Sequence, residues 1–177
     1  MALNLGPDTT KIVGYEEYID KIEYIDGKLY IPDDKIGKRV VVSIDNDRQS
    51  CLYKMCKEFT EMRKPFKAMG TKEGNSKSNA LKIMVNTFYG ANTNPYLGYG
   101  DMATGITITA VARFLLTTGI QLIRKKYGEK SVVYVHTDGI NTNCDIDVEW
   151  LTKRLRLIFE ATVPNVCLLY TSPSPRD

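Results

Sequence analysis

Apolar residues recur three and four positions apart in two neighbouring segments, roughly Asp47–Met69 and Ser76–Tyr89. This is the period of an amphipathic helix. The turn sequence G-T-K-E-G-N between the segments therefore predicts that the two helices form a hairpin. We expect Ser76 or Asn75 to cap the second helix, and Gly90 to end it.

Two further helices are predicted towards the carboxyl end of the chain. A loop rich in Gly, Asn and Pro at Ala91–Gly100 precedes a long apolar segment, from about Met102 to Tyr127. Asp101 is suited to cap this helix and Gly128 to end it. The last helix is predicted at about Val148–Ala161, where apolar residues again recur at helical spacing.

Alternating apolar and polar residues predict two β-hairpins. The first hairpin turns at Asp26-Gly27, after a helical turn around Tyr15–Tyr18. In the second, the valine-rich strand Ser131–His136 leads through a tight turn at Asp138-Gly139 to a return strand, Ile140–Asn143. Together with the four helices, these hairpins predict a mixed α/β fold of the α+β kind.

The composition is that of a globular domain. The chain has 177 residues, of which 43% are hydrophobic and 25% charged, and its net charge of +3 by itself predicts no partner. The distribution of charge says more, because eight Lys or Arg stand against three Glu between Lys54 and Lys82. This local basic excess fits the binding of a polyanion, and a solvated helical hairpin is the alternative.

Histidine and cysteine are too scarce for several kinds of site. His136 is the only histidine, which excludes a multi-histidine zinc centre and the two-histidine iron site of some oxygenases. A Ser-His-Asp hydrolase is not favoured either, because His136 belongs to a different group of residues. Cys51 and Cys56 are not spaced like a zinc pair, so reduced thiols of an intracellular protein are the simplest reading. With no signal peptide and no apolar segment judged long enough to span a membrane, we expect no membrane partner.

The segment K-I-M-V-N-T-F-Y-G, Lys82–Gly90, places three polar residues along one side of the predicted second helix. Lys82, Asn86 and Tyr89 stand at i, i+4 and i+7. On pattern alone, an ordinary amphipathic helix with a wet polar stripe explains them. The segment also resembles the K-x-x-x-N-S-x-Y-G motif of family B DNA polymerases, with Thr87 in the Ser position. The residues predicted to pack inward are Leu81, Met84, Val85 and Phe88.

This resemblance implies a nucleotide-binding site on the helical hairpin. Lys82 would contact the phosphates of the incoming nucleotide, and Asn86 would line its site. Tyr89 and Gly90 would flank the nascent base pair and so contact DNA.

The first helix of the hairpin carries a second part of the implied nucleotide site. In M-R-K-P-F-K, Arg63 and Lys67 lie four apart, on one helical face, and Pro65 between them predicts a kink. Members of the polymerase family carry an Arg and a Lys at this spacing and grip the triphosphate with them. The alternative is again a solvated basic face.

The segment Y-V-H-T-D-G, Tyr134–Gly139, resembles the Y-G-D-T-D-S motif of the same family, which carries catalytic metal. The resemblance places Asp138 at the carboxylate that binds metal most directly, and gives Asp138 and Lys82 catalytic roles with Mg²⁺ in a two-metal mechanism. His136 stands at the other Asp position, and since imidazole is a poor ligand for Mg²⁺ we expect it to support the turn. The alternative is that Asp-Gly is merely a hairpin turn. The DNA-contacting residues implied here are Tyr134 and Thr137.

Because the two motifs occur in the same order as in the family, the chain resembles a fragment of a family B DNA polymerase. Residues 1–44 and 91–166 would belong to the palm and residues 45–90 to the fingers. Within the second palm segment, I-T-A-V-A-R resembles the family's I-T-x-x-G-R, with Arg113 retained. The implied partners are primer-template DNA, deoxynucleoside triphosphates and replication accessory proteins.

The family motif with the other metal-binding Asp, D-x-x-S-L-Y-P-S, is absent from the sequence. We therefore expect this chain to be inactive by itself, with the two-metal site completed by residues outside it. The competing interpretation, favoured by His136, is a non-catalytic nucleic-acid-binding relative with a degenerate metal site. An unrelated helical interaction domain would explain the composition but not the ordered motifs.

The last eleven residues, C-L-L-Y-T-S-P-S-P-R-D from Cys167 to Asp177, resemble the translation of a sequencing-library adapter. We expect them to be a non-native tail and leave them out of the fold prediction. A disordered tail rich in Ser and Pro is the alternative.

Overall fold

The computed structural model of the protein describes residues 2–3, 5–45, 47–94, 96–97, 100–137, 139–163 and 168–169. These residues form a mixture of helices and antiparallel strands, which confirms the predicted mixed α/β class. Asp138 and most of the predicted adapter-encoded tail lie outside the described residues. The elements in chain order are β1 (Ala2–Leu3), β2 (Thr10–Glu17), β3 (Glu23–Ile25), β4 (Lys28–Asp33), β5 (Lys38–Ile44), α1 (Cys51–Ala68), α2 (Lys72–Asn92), α3 (Met102–Tyr127), β6 (Val132–His136), β7 (Gly139–Thr142), α4 (Val148–Thr162) and β8 (Leu168–Leu169).

The main sheet has the strand order β2-β5-β4-β3, with each neighbouring pair antiparallel. Val40, Val42 and Ile44 alternate along its central strand β5 and so share one face. They pack in a buried cluster with Ala110 and Val111 of α3. The sheet, one side of α3 and the residues Phe159 and Val163 at the end of α4 therefore make the core.

The amino-terminal helical turn predicted around Tyr15–Tyr18 is wrong. Tyr15 lies in β2 and pairs with Val40 of β5. Local polar sequence favours a turn, but pairing with a buried central strand decides the conformation. The predicted hairpin at Asp26-Gly27 is confirmed, because both residues have positive φ, 49° and 75°, in a two-residue loop between β3 and β4.

Helices α1 and α2 form the predicted hairpin, but the predicted ends of α2 are wrong. Thr71 caps the helix, and its hydroxyl accepts a hydrogen bond from the Gly74 amide at 3.1 Å. Asn75 and Ser76 lie inside the helix, since Thr71 offers a cap one turn earlier. The helix also continues through Gly90 to Asn92, because one glycine weakens a helix without ending it.

Helices α3 and α4 are confirmed at close to their predicted bounds. The Asp101 carboxylate caps α3 by accepting hydrogen bonds from the Ala103 and Thr104 amides, and Gly128 follows its last residue with φ of 98°. By length and composition alone, α3 could cross a membrane, contrary to the expectation from the sequence. Core helices pass the same test, and α3 packs against the main sheet.

Candidate functional site

Helices α1 and α2 contact each other along a stripe of partly buried side chains. The rings of Phe59 and Phe88 stack with centroids 5.6 Å apart, and Leu81 and Val85 are also half-buried. Met84 was predicted to pack inward with them, but 43% of it is exposed. The prediction for Met84 is therefore wrong, since the contact with α1 follows the narrower stripe of Leu81, Val85 and Phe88.

The polar residues of the first motif lie beside this contact stripe. Lys82, Asn86 and Tyr89 are exposed, and each follows by one position a residue that faces α1. Since successive helical residues are offset by about 100°, the three form a second stripe along one edge of the hairpin. Gly90, at the end of the stripe, has no other atom within 4 Å of the position of a Cβ. The helix therefore offers an open polar edge that ends beside bare backbone.

Arg63 lies between the two helices and next to this polar edge. Its Nε donates a hydrogen bond to the hydroxyl of Ser78 on α2, at 3.0 Å. Ser78 precedes Lys82 by four residues, so the two share a helical face about 6 Å apart along the axis. The fold thus brings Arg63 and Lys82 to one part of the hairpin surface. Lys67 is exposed one turn beyond Arg63, towards the end of α1.

The nearby acidic residues leave the charges of Arg63 and Lys82 uncompensated. Glu61 binds Lys64 at 2.7 Å, and Glu73 binds Lys77 at 2.7 Å. Among the described residues, no carboxylate forms an ion pair with Arg63 or Lys82. Two cations without such a partner, one from each helix of the hairpin, favour an anionic ligand.

The second motif lies on the β6–β7 hairpin, and the hairpin itself is confirmed. His136 pairs with Gly139, so residues 137 and 138 connect the strands, and Gly139 belongs to β7 rather than to the predicted turn. Thr137 has a φ of 54°, in the left-handed region that β-branched residues rarely occupy. Its hydroxyl lies 3.2 Å from Nδ1 of His136. Asp138, the residue expected to bind metal, lies outside the described residues.

The hairpin is exposed along β6 and anchored through β7. Tyr134 is 57% exposed, and Val133 is 62% exposed. The side chain of Ile140 packs against α3 at Gly119, where a Cβ would come within 3.3 Å of its terminal methyl. This contact attaches the β6–β7 hairpin to α3.

Helix α3 connects the α1–α2 hairpin to the β6–β7 hairpin. At its amino end, Gly105 packs against Thr93, the residue that caps the end of α2. Arg113 lies about 12 Å along the helix from Gly105 and about 9 Å before Gly119. It is exposed, and no described carboxylate forms an ion pair with it. A third cation thus lies between the points where the two motif-bearing elements contact α3.

A small cavity of about 170 Å³ opens where α2 meets α3. Tyr89, a predicted site residue, lines this cavity. A larger cavity of about 530 Å³ lies elsewhere, beside the start of β2 and the cap of α3. Thr10 donates to Asp101 at 2.8 Å there and Asp8 accepts from the Cys51 amide at 3.0 Å, whereas the other carboxylate oxygen of Asp8 is buried without a partner among the described residues. None of the predicted site residues lines this larger cavity. We therefore place the candidate site at the smaller cavity and the polar edge beside it.

The described residues do not by themselves assemble a metal site. No group of three or more His, Cys, Asp or Glu side chains among them could hold a metal ion. Asp138 lies outside these described residues.

Two residues that sequence reasoning missed help to build the site. Ser78 binds Arg63, and Gly105 allows α2 to approach α3. Ser78 lies four positions before Lys82, so the helical stripe already contained it. The contact of Gly105 with Thr93 joins two elements through a loop, and local sequence gives no signal of it. Compared with models of protein families and with curated proteins, the chain matches none.

Proposed function

We propose that this chain forms the nucleotide-binding fingers and part of the palm of a template-directed DNA polymerase of family B. The observation that supports the proposal most directly is the bond of Arg63 to Ser78, one turn from Lys82, where no described carboxylate forms an ion pair with either cation. Asn86 and Tyr89 continue the line from these cations towards the cavity next to α3. A triphosphate, a sugar and a base could follow that line in order.

In the proposed reaction, the primer 3′ hydroxyl attacks the α-phosphate of a deoxynucleoside triphosphate and pyrophosphate leaves. Mg²⁺, when bound, supplies charge stabilisation and activates the attacking oxygen. Lys82 and Arg63 neutralise charge on the phosphates as the bond to pyrophosphate breaks. Asp138 contributes one carboxylate, and the second comes from outside this chain.

The DNA would run along the side of α3 that faces away from the main sheet. Arg113 is exposed there, between the fingers hairpin and the β6–β7 hairpin, and is suited to a phosphodiester contact. Tyr134 and Thr137 are exposed on the β6–β7 hairpin, which contacts α3 at Gly119. These placements support DNA contacts by all three residues.

The test measures, by calorimetry, the binding of a deoxynucleoside triphosphate to the purified chain. Lys82→Gln and Arg63→Gln should each weaken binding about 10- to 100-fold, the usual worth of a hydrogen bond to a charged group. Lys64→Gln is the matched control, because Lys64 is exposed on α1 but paired with Glu61. An equal loss from Lys64→Gln would mean that the helices attract anions only through their general charge, and would overturn the proposal.

A second candidate function is nucleic-acid binding without catalysis, favoured by His136 in place of a carboxylate. Primer extension distinguishes the two when the chain is joined to a segment that supplies the missing carboxylate. Mg²⁺-dependent synthesis by the joined protein supports the polymerase, whereas primer-template binding without any synthesis supports the non-catalytic relative. The present chain alone should bind but not synthesise, and synthesis by it would refute the need for the second carboxylate.

A further inference from the structure

Ser78 is a buried polar residue to which the proposed function gives no role of its own. It is only 3% exposed, on the side of α2 that faces α1. A serine inside a helix commonly returns its hydrogen bond to the carbonyl four residues earlier. Ser76 does this, bonding the Lys72 carbonyl at 3.0 Å, whereas the Ser78 hydroxyl accepts a hydrogen bond from Nε of Arg63 on the other helix. The hydroxyl of Ser78 therefore constrains the orientation of the Arg63 side chain.

Holding Nε fixes the plane of the guanidinium group. Arg carries five N–H donors in a rigid fork, and its two terminal amino groups can bind a pair of phosphate oxygens side by side. With Nε bound to Ser78, these terminal groups remain available, since no described carboxylate pairs with Arg63. A long side chain ordered before its ligand arrives loses less entropy on binding.

We propose that Ser78 is a positioning residue, which orients Arg63 to bind the polyphosphate chain of a nucleoside triphosphate together with Lys82. The inference rests on the proposed function and adds to it the residue that organises the phosphate end of the site. Ser78 acts through Arg63 and does not itself contact the ligand. A triphosphate fits better than a single phosphate group, because Arg63 is bonded to Ser78, which lies one turn of α2, about 6 Å, before Lys82.

The test combines a spectroscopic signal of Arg63 with ligand binding. In the ¹H–¹⁵N spectrum of the chain, the Arg63 Nε–H should be protected from solvent exchange, and Ser78→Ala should remove that protection. Titration with inorganic triphosphate should show about 3- to 10-fold weaker binding for Ser78→Ala. Ser78→Thr keeps the hydroxyl and should restore most of the affinity. Ser76→Ala, on the same helix, is the matched control and should change neither measurement.

The double variant Arg63→Gln with Ser78→Ala separates a positioning role from a structural one. If Ser78 acts through Arg63, the double variant should bind triphosphate no worse than Arg63→Gln alone. Losses that simply multiply, or an unchanged affinity of Ser78→Ala, would overturn the inference and leave the nucleotide site intact. Failure of the unmodified chain to bind inorganic triphosphate or a deoxynucleoside triphosphate would overturn the proposed function as well as this inference.

Discussion

Gly105 tests whether α2 is held against α3 as the fold describes. A Cβ at position 105 would lie 2.5 Å from the Thr93 Cγ2 and 3.3 Å from its Cβ, both closer than ordinary contact. Thr93 cannot simply rotate away, because its hydroxyl bonds the carbonyls of Tyr89 and Gly90 at 3.1 and 3.2 Å. Gly105→Ala must therefore either break those bonds or push the end of α2, and Tyr89 with it, away from α3.

The size of the effect follows from two opposing contributions. Overpacking a close contact costs about 1–3 kcal/mol. Replacing a helical glycine with alanine returns about 1 kcal/mol. The expected net change is a loss of about 1 kcal/mol, which corresponds to a Tm about 2–4 °C lower for a chain of this size. Gly90→Ala is the matched control, since a Cβ there meets nothing within 4 Å. It should raise the stability by about 0.5–1 kcal/mol.

Thermal and urea unfolding of the unmodified chain, Gly105→Ala and Gly90→Ala should show that the first substitution lowers the stability and the second raises it. Gly105→Ala should also weaken the binding of a deoxynucleoside triphosphate, because it displaces Tyr89, while leaving the binding of inorganic triphosphate nearly unchanged. If Gly105→Ala stabilised the protein as much as Gly90→Ala, the packing of Thr93 on α3 would be disproved. Unchanged nucleotide binding despite a lower Tm would separate Tyr89 from the site.

Other measurements examine the β6–β7 hairpin and the start of α1. Under the proposed function, in a protein that also supplies the second carboxylate, Asp138→Ala should abolish primer extension and His136→Ala should only reduce it; equal, complete losses would give His136 a direct role. Thr137→Asn should raise the stability of the β6–β7 hairpin, measured by hydrogen exchange, because Asn tolerates positive φ better; a lower stability would contradict the strain at this turn. Burial raises the pKa of Asp8, but hydrogen bonds from the backbone of Cys51 and from nearby groups outweigh it and leave the pKa below its usual range. The stability that Asp8 contributes is then present above its unfolded pKa of about 3.9 and lost as the pH falls through its lower folded value. Urea unfolding should show Asp8→Asn to be less stable than the unmodified chain near pH 6, with the difference shrinking near pH 3.

The elements predicted best from the sequence are those whose signals are local. Helix α3 has an Asp cap, a long apolar segment and a Gly directly after it, and these local signals predict its bounds. The turn at Asp26-Gly27 has the residues that two positive φ angles require. Strand β2 was missed because its conformation depends on pairing with β5, which is distant in sequence. The start of α2 was misplaced because Thr71, Asn75 and Ser76 are all good caps, and only the first is used.

The candidate site divides in the same way between local and distant signals. The stripe of Lys82, Asn86 and Tyr89 follows from helical periodicity, and the fold leaves it exposed as expected. Which residue of α1 would meet that stripe could not be read from periodicity, because the answer depends on how the two helices are rotated against each other. The bond between Arg63 and Ser78 fixes that rotation.

The turn of the second motif illustrates how a site can depart from what local structure prefers. Two-residue hairpin loops with positive φ favour Asn, Asp or Gly, and the chain uses that solution at Asp26-Gly27. At Thr137 it instead holds a β-branched residue at φ of 54°, with its hydroxyl beside the His136 ring. Stability alone does not account for that choice, because less strained residues would form the same turn. Strain of this kind is most often found where a side chain is needed for function. The conformation therefore gives a structural reason, independent of the motif resemblance, to look for chemistry at the β6–β7 turn and not at the equally tight turn of the main sheet.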